Sequence, residues 1–262
     1  MTYDTLRFTV RDGIARMTLN RPRALNAISP QMLDDMAAVL ECVTADRNVR
    51  VLIIAAEGRA FCAGADLKAM DAMQGDLAQM QRFLTRWKQV FCGIEDLPRP
   101  VIGMCQGLAL AGGFELLQVC DLVIASDKAE LGDQHIHFGL VPGGGGSQRL
   151  PRLIGARKAK EIMYTGVWLS AQEAYELGLV NRVVREADLD SAVHELATTL
   201  AQKSPVALRT MKHLVNAGLQ TDLEHGLQLE LQTVMIHNVL DDTREGIAAF
   251  KEKRQPVFKG EA

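Results

Sequence analysis

The sequence has no excess of positive charge, no long apolar run and no paired cysteines, and each shortage removes a class of protein. A formal net charge of −3 leaves no basic stripe of the kind that holds phosphate backbones, so nucleic acid is not expected as a partner. No apolar stretch approaches the roughly 20 residues of a membrane-spanning helix, and the opening MTYDTLRFTVRDG lacks the basic and then apolar segments of a secretory signal. A cytoplasmic protein without a membrane partner is the expectation. Cys42, Cys62, Cys92, Cys105 and Cys120 are odd in number and never spaced C-x-x-C, which fits reduced core thiols rather than a disulfide framework or a zinc site.

Missing motifs narrow the chemistry further. Gly143 to Gly146 form a glycine run, but no G-x-x-x-x-G-K-[ST] follows, and the last glycine of a G-x-G-x-x-G would fall on Gln148 or Arg149, which argues against a nucleotide loop. Ser147 is followed two residues later by Arg149, so the nucleophile elbow G-x-S-x-G is absent and acyl-serine chemistry with it. On a strand, Asp133, His135 and His137 would share a face, as metal ligands do. No second cluster of His, Cys or carboxylate completes a set, so no metal is expected. His194, His213, His225 and His237 fall in helical stretches and read as surface or interface residues.

What is present is enough apolar material for a large core. A chain of 262 residues buries roughly three quarters of its unfolded surface, so one large domain with an appendage is expected. Residues 6–10 and 14–19 flank Arg11-Asp12-Gly13 as a half-buried hairpin would. Ser29 with Pro30 opens a helix through Asp46, on which Leu33, Met36, Leu40 and Val43 repeat at helical spacing. The continuous apolar run 50–56 predicts a strand covered on both faces. Across 70–95 one long helix is predicted from the stripe Met73, Leu77, Met80, Leu84, Trp87, Phe91 and Ile94, interrupted only by Gly75 and read mostly as core.

Strand, glycine turn, helix and strand then recur over 100–126, the order that makes a parallel sheet with crossover helices. Ser170 and Glu173 form a capping box, and 179–184 reads as a closing strand. From about residue 187 only helices follow: one ending before Gln202, one capped by Ser204-Pro205, one from Thr221 or Asp222 through Leu240, and a short last one near Asp242. Their apolar faces predict packing on the main domain or on other subunits.

Two segments carry the chemistry: 61-FCAGADL-67 and 107-GLALAGGFELLQVCD-121. Each sets glycine and small residues, which permit close approach to the backbone, beside a side chain able to react. Coming from separate strand ends, the two can give one backbone N–H apiece to a single carbonyl oxygen, the requirement for stabilising an enolate.

With 20-NRPRALNA-27, 58-GRAFCAGADL-67, 107-GLALAGGFEL-116 and 131-LGDQHIHFGLVPGGGGSQRLPRLIG-155, the chain resembles the crotonase superfamily of enoyl-CoA hydratases and isomerases over essentially its whole length. The resemblance implies an α/β fold, a spiral of β-β-α units over residues 1–200, followed by a helical region, 201–262, that builds trimers commonly paired into hexamers. It implies that the N–H groups of Ala65 and Gly112 form an oxyanion hole for the thioester oxygen. Gly112 also falls at the start of a predicted helix, where unpaired N–H groups and the positive dipole end favour negative charge.

By the same resemblance Glu115 matches the first of two glutamates in hydratases. Phe114, Leu116 and Leu117 around it predict a carboxyl raised by desolvation. His135 stands where hydratases carry the second glutamate. A neutral imidazole offers one donor and one acceptor, so it can still help to hold a water. Glu115 is thus expected as principal general acid and base, with His135 positioning water or substrate. The resemblance gives the Cys62 thiol no part.

No prosthetic group is implied; coenzyme A arrives on the substrate. Ala63 and Ala65, with Asp66 nearby, are expected at its adenine end, Arg23 or Lys68 at its phosphates, and Lys253 of the last helix at the nucleotide. The start of the 70–95 helix is a candidate wall of the acyl pocket. The leading reading is 2-enoyl-CoA hydration. Its rivals are double-bond isomerisation or another crotonase-type reaction using Glu115, and, from outside enzymology, a CoA-binding oligomeric scaffold.

Overall fold

The computed structural model describes residues 3–260; Met1, Thr2, Glu261 and Ala262, which bound the two expected regions, lie outside the described residues. Strands β1 (Leu6–Arg11) and β2 (Ile14–Leu19) form an antiparallel hairpin. Asp12 and Gly13 turn it at positive φ of 50° and 76°, the mirror-image turn whose twist suits paired strands. Helix α1 (Pro30–Ala45) starts where Ser29 Oγ accepts the Met32 N–H, and its Leu33, Met36, Leu40 and Val43 are buried.

A spiral follows. Strands β3 (Val51–Ala56) and β4 (Ala60–Cys62) lead into α2 (Leu67–Ala72) and α3 (Leu77–Glu95). Strands β5 (Val101–Cys105) and β6 (Leu108–Leu110) lead into α4 (Gly112–Gln118), and β7 (Leu122–Ser126) and β8 (Glu130–Gly132) into a 3-10 turn at His135–Phe138. The first strand of each unit joins a six-stranded sheet of order β1-β2-β3-β5-β7-β10, β10 being Arg182–Val184, and the second a four-stranded sheet of order β4-β6-β8-β9, β9 being Leu169–Ser170. After the 3-10 turn the chain runs through α5 (Gly146–Ile154), α6 (Ala156–Thr165), β9 (Leu169–Ser170), α7 (Ala171–Glu176) and β10 (Arg182–Val184). The Ser170–Glu173 capping box closes in both directions.

The period of two along β3 explains its continuous apolar run. Leu52 and Ile54 enter the main core, whereas Val51, Ile53 and Ala55 face a second cluster with Leu189, Val193 and Ala197 of α8 (Leu189–Ala201). Helices α9 (Pro205–Gly218), α10 (Leu223–His237) and α11 (Asp241–Glu252) complete the chain. No residue of α10 is buried, and Leu227, Leu231 and Met235 are exposed. Among the described residues no helix is long and apolar enough to cross a membrane.

Two expectations need correction. The 70–95 helix is two helices: Gly75 takes φ +85°, which breaks α2 from α3, and the Asp76 carboxylate restarts the chain by accepting the Gln79 N–H. Asp133, His135 and His137 are not alternate residues of one strand. The chain turns there, so Asp133 and His135 meet each other while the His137 ring meets the Gly166 carbonyl oxygen at 3.2 Å.

Candidate active site

Strands β4 and β6 are parallel neighbours, with Ala60 opposite Leu108 and Cys62 opposite Ala109, so their C-terminal ends emerge side by side. The loop after β4 reaches Ala65; the loop after β6 reaches Gly112. The two touch: a methyl group added at Gly64 would lie 3.3 Å from the Gly112 nitrogen. Ala65 pairs with Ile28 only through its neighbours, the Ile28 N–H donating to Gly64 and the Asp66 N–H to Ile28. Among the described residues neither the Ala65 nor the Gly112 N–H has a protein acceptor. Such a pair of unpaired amides can hold a carbonyl oxygen as it gains negative charge.

The approach is tight. At Gly113 a Cβ would collide with the Cys62 carbonyl, so only glycine lets α4 begin this close to β4. Ala111, just before, takes φ 47° and ψ −117°, a strained conformation for a residue with a Cβ. Its N–H donates to Gly132 O and its carbonyl accepts the Glu115 N–H, which hold it there.

Glu115, on the first turn of α4, is 1% exposed. Its Oε1 accepts the N–H groups of Gly144 at 2.9 Å and Gly146 at 2.7 Å, and its Oε2 lies 3.9 Å from His135 Nε2. Burial pushes the carboxyl above its ordinary range, with Asp133 adding to the rise; the Gly146 and Gly144 amides and His135 pull it part of the way back. A general acid and base needs such a value nearer neutrality.

His135 Nδ1 lies 2.8 Å from Asp133 Oδ1, an arrangement that puts the proton on Nδ1 and turns Nε2 toward Glu115. Burial of the ring works against its charge, yet the hydrogen bond and charge of Asp133, with Glu115 behind them, outweigh burial and raise it above its ordinary value. Asp133 is itself 1% exposed. Burial also pushes the Cys62 thiol up to about 12, so it stays protonated near neutrality.

These groups open onto a cavity of about 540 Å³, within the range of small-ligand sites. Arg23, Ala63, Ala65, Asp66 and Lys68 all line it, as do Ala111, Glu115 and His135; Gly112 and Lys253 are not part of the wall. Lys253 follows the end of α11, in the left-handed conformation at φ 54°. Met70, at the start of the 70–95 span, lines it as expected, and Phe83, Leu84 and Trp87 from the middle of α3, with Leu25, Leu67, Phe138, Leu140 and Val141, make up the rest of the apolar wall.

Sequence reasoning passed over three contributors. In the sequence Asp133 reads only as a metal ligand, although Asp-x-His is also the spacing of a carboxylate that orients an imidazole. The amides of Gly144 and Gly146 act through the main chain and reach Glu115 from a distant segment. Arg21, not Arg23, is the structural strut: it donates to Ala27 O at 2.6 Å and to Asp66 Oδ2 at 2.8 Å. Asp66 also caps α2 by accepting the Lys68 and Ala69 N–H groups, so its carboxylate is committed within the protein. Among the described residues no three His, Cys, Asp or Glu side chains gather as a metal set.

Residues 9–261 match the family described as enoyl-CoA hydratase/isomerase. A putative enoyl-CoA hydratase/isomerase of Bacillus subtilis is 42% identical over 98% of this chain and 99% of its own length. A crotonyl-CoA hydratase of Syntrophomonas wolfei is 35% identical over 98% and 99%. The crystal structure of an enoyl-CoA hydratase from Bacillus anthracis superposes with a TM-score of 0.93 at 40% identity, covering 98% of this chain and 100% of that one.

Proposed function

The chain belongs to the enoyl-CoA hydratase/isomerase family, and on that premise we propose that it adds water to 2-enoyl-CoA thioesters to give 3-hydroxyacyl-CoA. The thioester oxygen would rest between the N–H groups of Ala65 and Gly112, each worth on the order of 10²–10³ in rate as the enolate forms. Glu115 takes a proton from water as the water oxygen bonds the β carbon, then returns it to the α carbon, so one water is added overall. His135 positions that water. The observation that carries the reading is Glu115 itself: a buried carboxyl with one oxygen anchored by two amides and the other turned toward His135.

No prosthetic group is required; coenzyme A comes with the substrate. We assign the backbone at Ala63 and Ala65, beside Asp66, to the adenine end, and Arg23 and Lys68 to the phosphates. Lys253, off the cavity wall in a single chain, is assigned to the nucleotide within the oligomer. We take residues 1–200 as the catalytic core and 201–262 as the region that builds a trimer, paired or unpaired into a hexamer. The unburied α10, with Leu227, Leu231 and Met235 exposed, supports this. A cytoplasmic location and a place in fatty-acid metabolism belong to the same proposal.

Incubation with a panel of enoyl-CoA, 3-hydroxyacyl-CoA and aromatic acyl-CoA thioesters, followed by mass spectrometry, tests the reading. A gain of one water supports it. An unchanged mass with a shifted double bond makes the protein an isomerase acting through Glu115, and binding without turnover makes it a scaffold.

A further inference from the structure

Arg149, on the first turn of α5, touches none of the reacting groups, yet each of its three guanidinium nitrogens has an acceptor. Nε and Nη2 fork onto the Glu95 carboxylate, Nη2 lying 2.6 Å from Oε2, and the Arg149 side chain is 17% exposed. Nη2 also lies 3.7 Å from Cys92 Sγ. An ion pair with α3 would need Glu95 alone. The remaining nitrogen, Nη1, instead donates to the Gly144 carbonyl oxygen at 3.0 Å, inside the loop that cradles Glu115.

Three successive peptide groups make that cradle. The one before Gly144 gives its N–H to Glu115 Oε1 at 2.9 Å, and the one before Gly146 gives its N–H to the same oxygen at 2.7 Å. The peptide between them gives its carbonyl to Arg149. Glycines impose little on the torsions that turn these groups, and Gly145 stands at φ +109°, so the aim of the two amides is set from outside the loop. Glu115 bounds one side, where a Cβ on Gly144 would lie 2.7 Å from Oε2; Arg149 bounds the other, where a Cβ on Gly145 would strike Nη1. The far end of the strut is fixed as well. Glu95 closes α3, and its main-chain carbonyl accepts Asn216 Nδ2 of α9 at 3.2 Å.

We propose that Arg149, braced by Glu95, is a positioning residue for the reaction: by holding the Gly144 carbonyl it aims the Gly144 and Gly146 amides at Glu115 Oε1. Oε2 is thereby left to move the proton. The inference rests on the hydratase reading for the reaction, while the placing of Glu115 requires no particular substrate. Reacting groups must be held to about 0.5 Å by the contacts behind them, which is the task of the strut. Without it the carboxyl loses amides that lower it and keeps the burial that raises it, while Asp133 and His135, the charged groups that face it, are unchanged.

The test uses two variants of the full-length protein. Arg149→Met keeps an apolar stem and removes the donors and the positive charge; Glu95→Ala keeps Arg149 and removes its brace. Both should lower kcat on an enoyl-CoA about 10–100-fold, the upper figure being the cost of misplacing a reacting group by about 1 Å, with KM within about 3-fold of wild type. Both should also make Glu115 titrate at higher pH, followed without substrate as the infrared difference from Glu115→Gln in the same background. Charges acting through space would instead give opposite signs, since loss of the cation raises a carboxyl and loss of the anion lowers it. The double variant should lose no more kcat than Arg149→Met alone, because both changes break one strut. Glu95→Ala that titrates at or below the wild-type pH, or wild-type kcat in both variants, would overturn the proposal. If Arg149→Met does not fold, the direction in Glu95→Ala decides it. A wild type that hydrates no enoyl-CoA would overturn the reaction, and the substrate-free titration would still decide whether the strut places Glu115.

Discussion

His135 Nε2 stands 3.9 Å from Glu115 Oε2, too far for a direct hydrogen bond and close enough for one shared oxygen. Both groups are raised, Glu115 by its burial and His135 by Asp133 against its burial. Each also acts on the other: the imidazolium lowers Glu115, and the carboxylate raises His135. The charge of each thus bears on the protonation of the other, and the pH dependence of the reaction depends on both.

Glu115→Gln separates the geometry of this site from its proton chemistry. The amide oxygen can still accept the Gly144 and Gly146 N–H groups, while no proton can be taken up. Turnover of the best enoyl-CoA should fall about 10²–10⁴-fold, the usual worth of a positioned acid and base, with the melting temperature little changed. Steady-state kinetics on the purified variant decide it; full activity would remove Glu115 from the reaction.

Asp133→Asn tests the pair through its pH profile. The asparagine oxygen can still accept the His135 Nδ1–H, but the negative charge that raises both His135 and Glu115 is gone. Both limbs of the kcat/KM profile should then move to lower pH. Asp133→Asn with limbs unmoved would show that Asp133 does no more than pack.

Local patterns explain why part of this was legible. Ser29 and the Ser170–Glu173 box act within one helical turn, and the sequence names both partners. The residue pattern offered two glycine-rich turns at strand ends, and it is the resemblance that singled out the amides of Ala65 and Gly112. The cradle at Gly144 and Gly146 could not, because main-chain donors leave no residue-type signature. Trp87 reads as core from its helical spacing, and its ring is core; that its Nε1–H is left without an acceptor is something periodicity cannot show. The break between α2 and α3 was available, since Gly75 followed by Asp76 is a stop and a start, but the apolar spacing ran across it.

Gly144→Ala probes the same space sterically. Glycine is needed there for room, because a methyl would press on both Glu115 Oε2 and Trp87 Nε1 at 2.7 Å. The carboxyl must then shift within its cradle, and misplacement of about 1 Å at a reacting group can cost 10²-fold. We expect a loss of that order in kcat, with circular dichroism unchanged. Wild-type kcat would mean that Glu115 and Trp87 yield without consequence.

The tail is fastened by a buried polar knot whose worth can be measured apart from catalysis. Asp242 is 4% exposed; its Oδ2 accepts the Ser204 hydroxyl at 2.6 Å, and its Oδ1 accepts the Lys259 and Gly260 N–H groups at 3.1 and 3.3 Å. Ser204 Oγ in turn accepts the Ala207 N–H and caps α9. Asp242→Ala strips an acceptor from three donors, of which the buried Ser204 hydroxyl, left unpaired, costs about 1–3 kcal/mol, while the N–H groups of Lys259 and Gly260 lie nearer water. Ser204→Ala loses the cap as well, about 1 kcal/mol. Since one hydrogen bond is common to both changes, the double variant should be less destabilised than the sum of the singles. Urea unfolding at one fixed protomer concentration, which keeps any assembly contribution constant, measures the difference. Strict additivity would mean that the 2.6 Å contact contributes nothing to holding α11 against the start of α9.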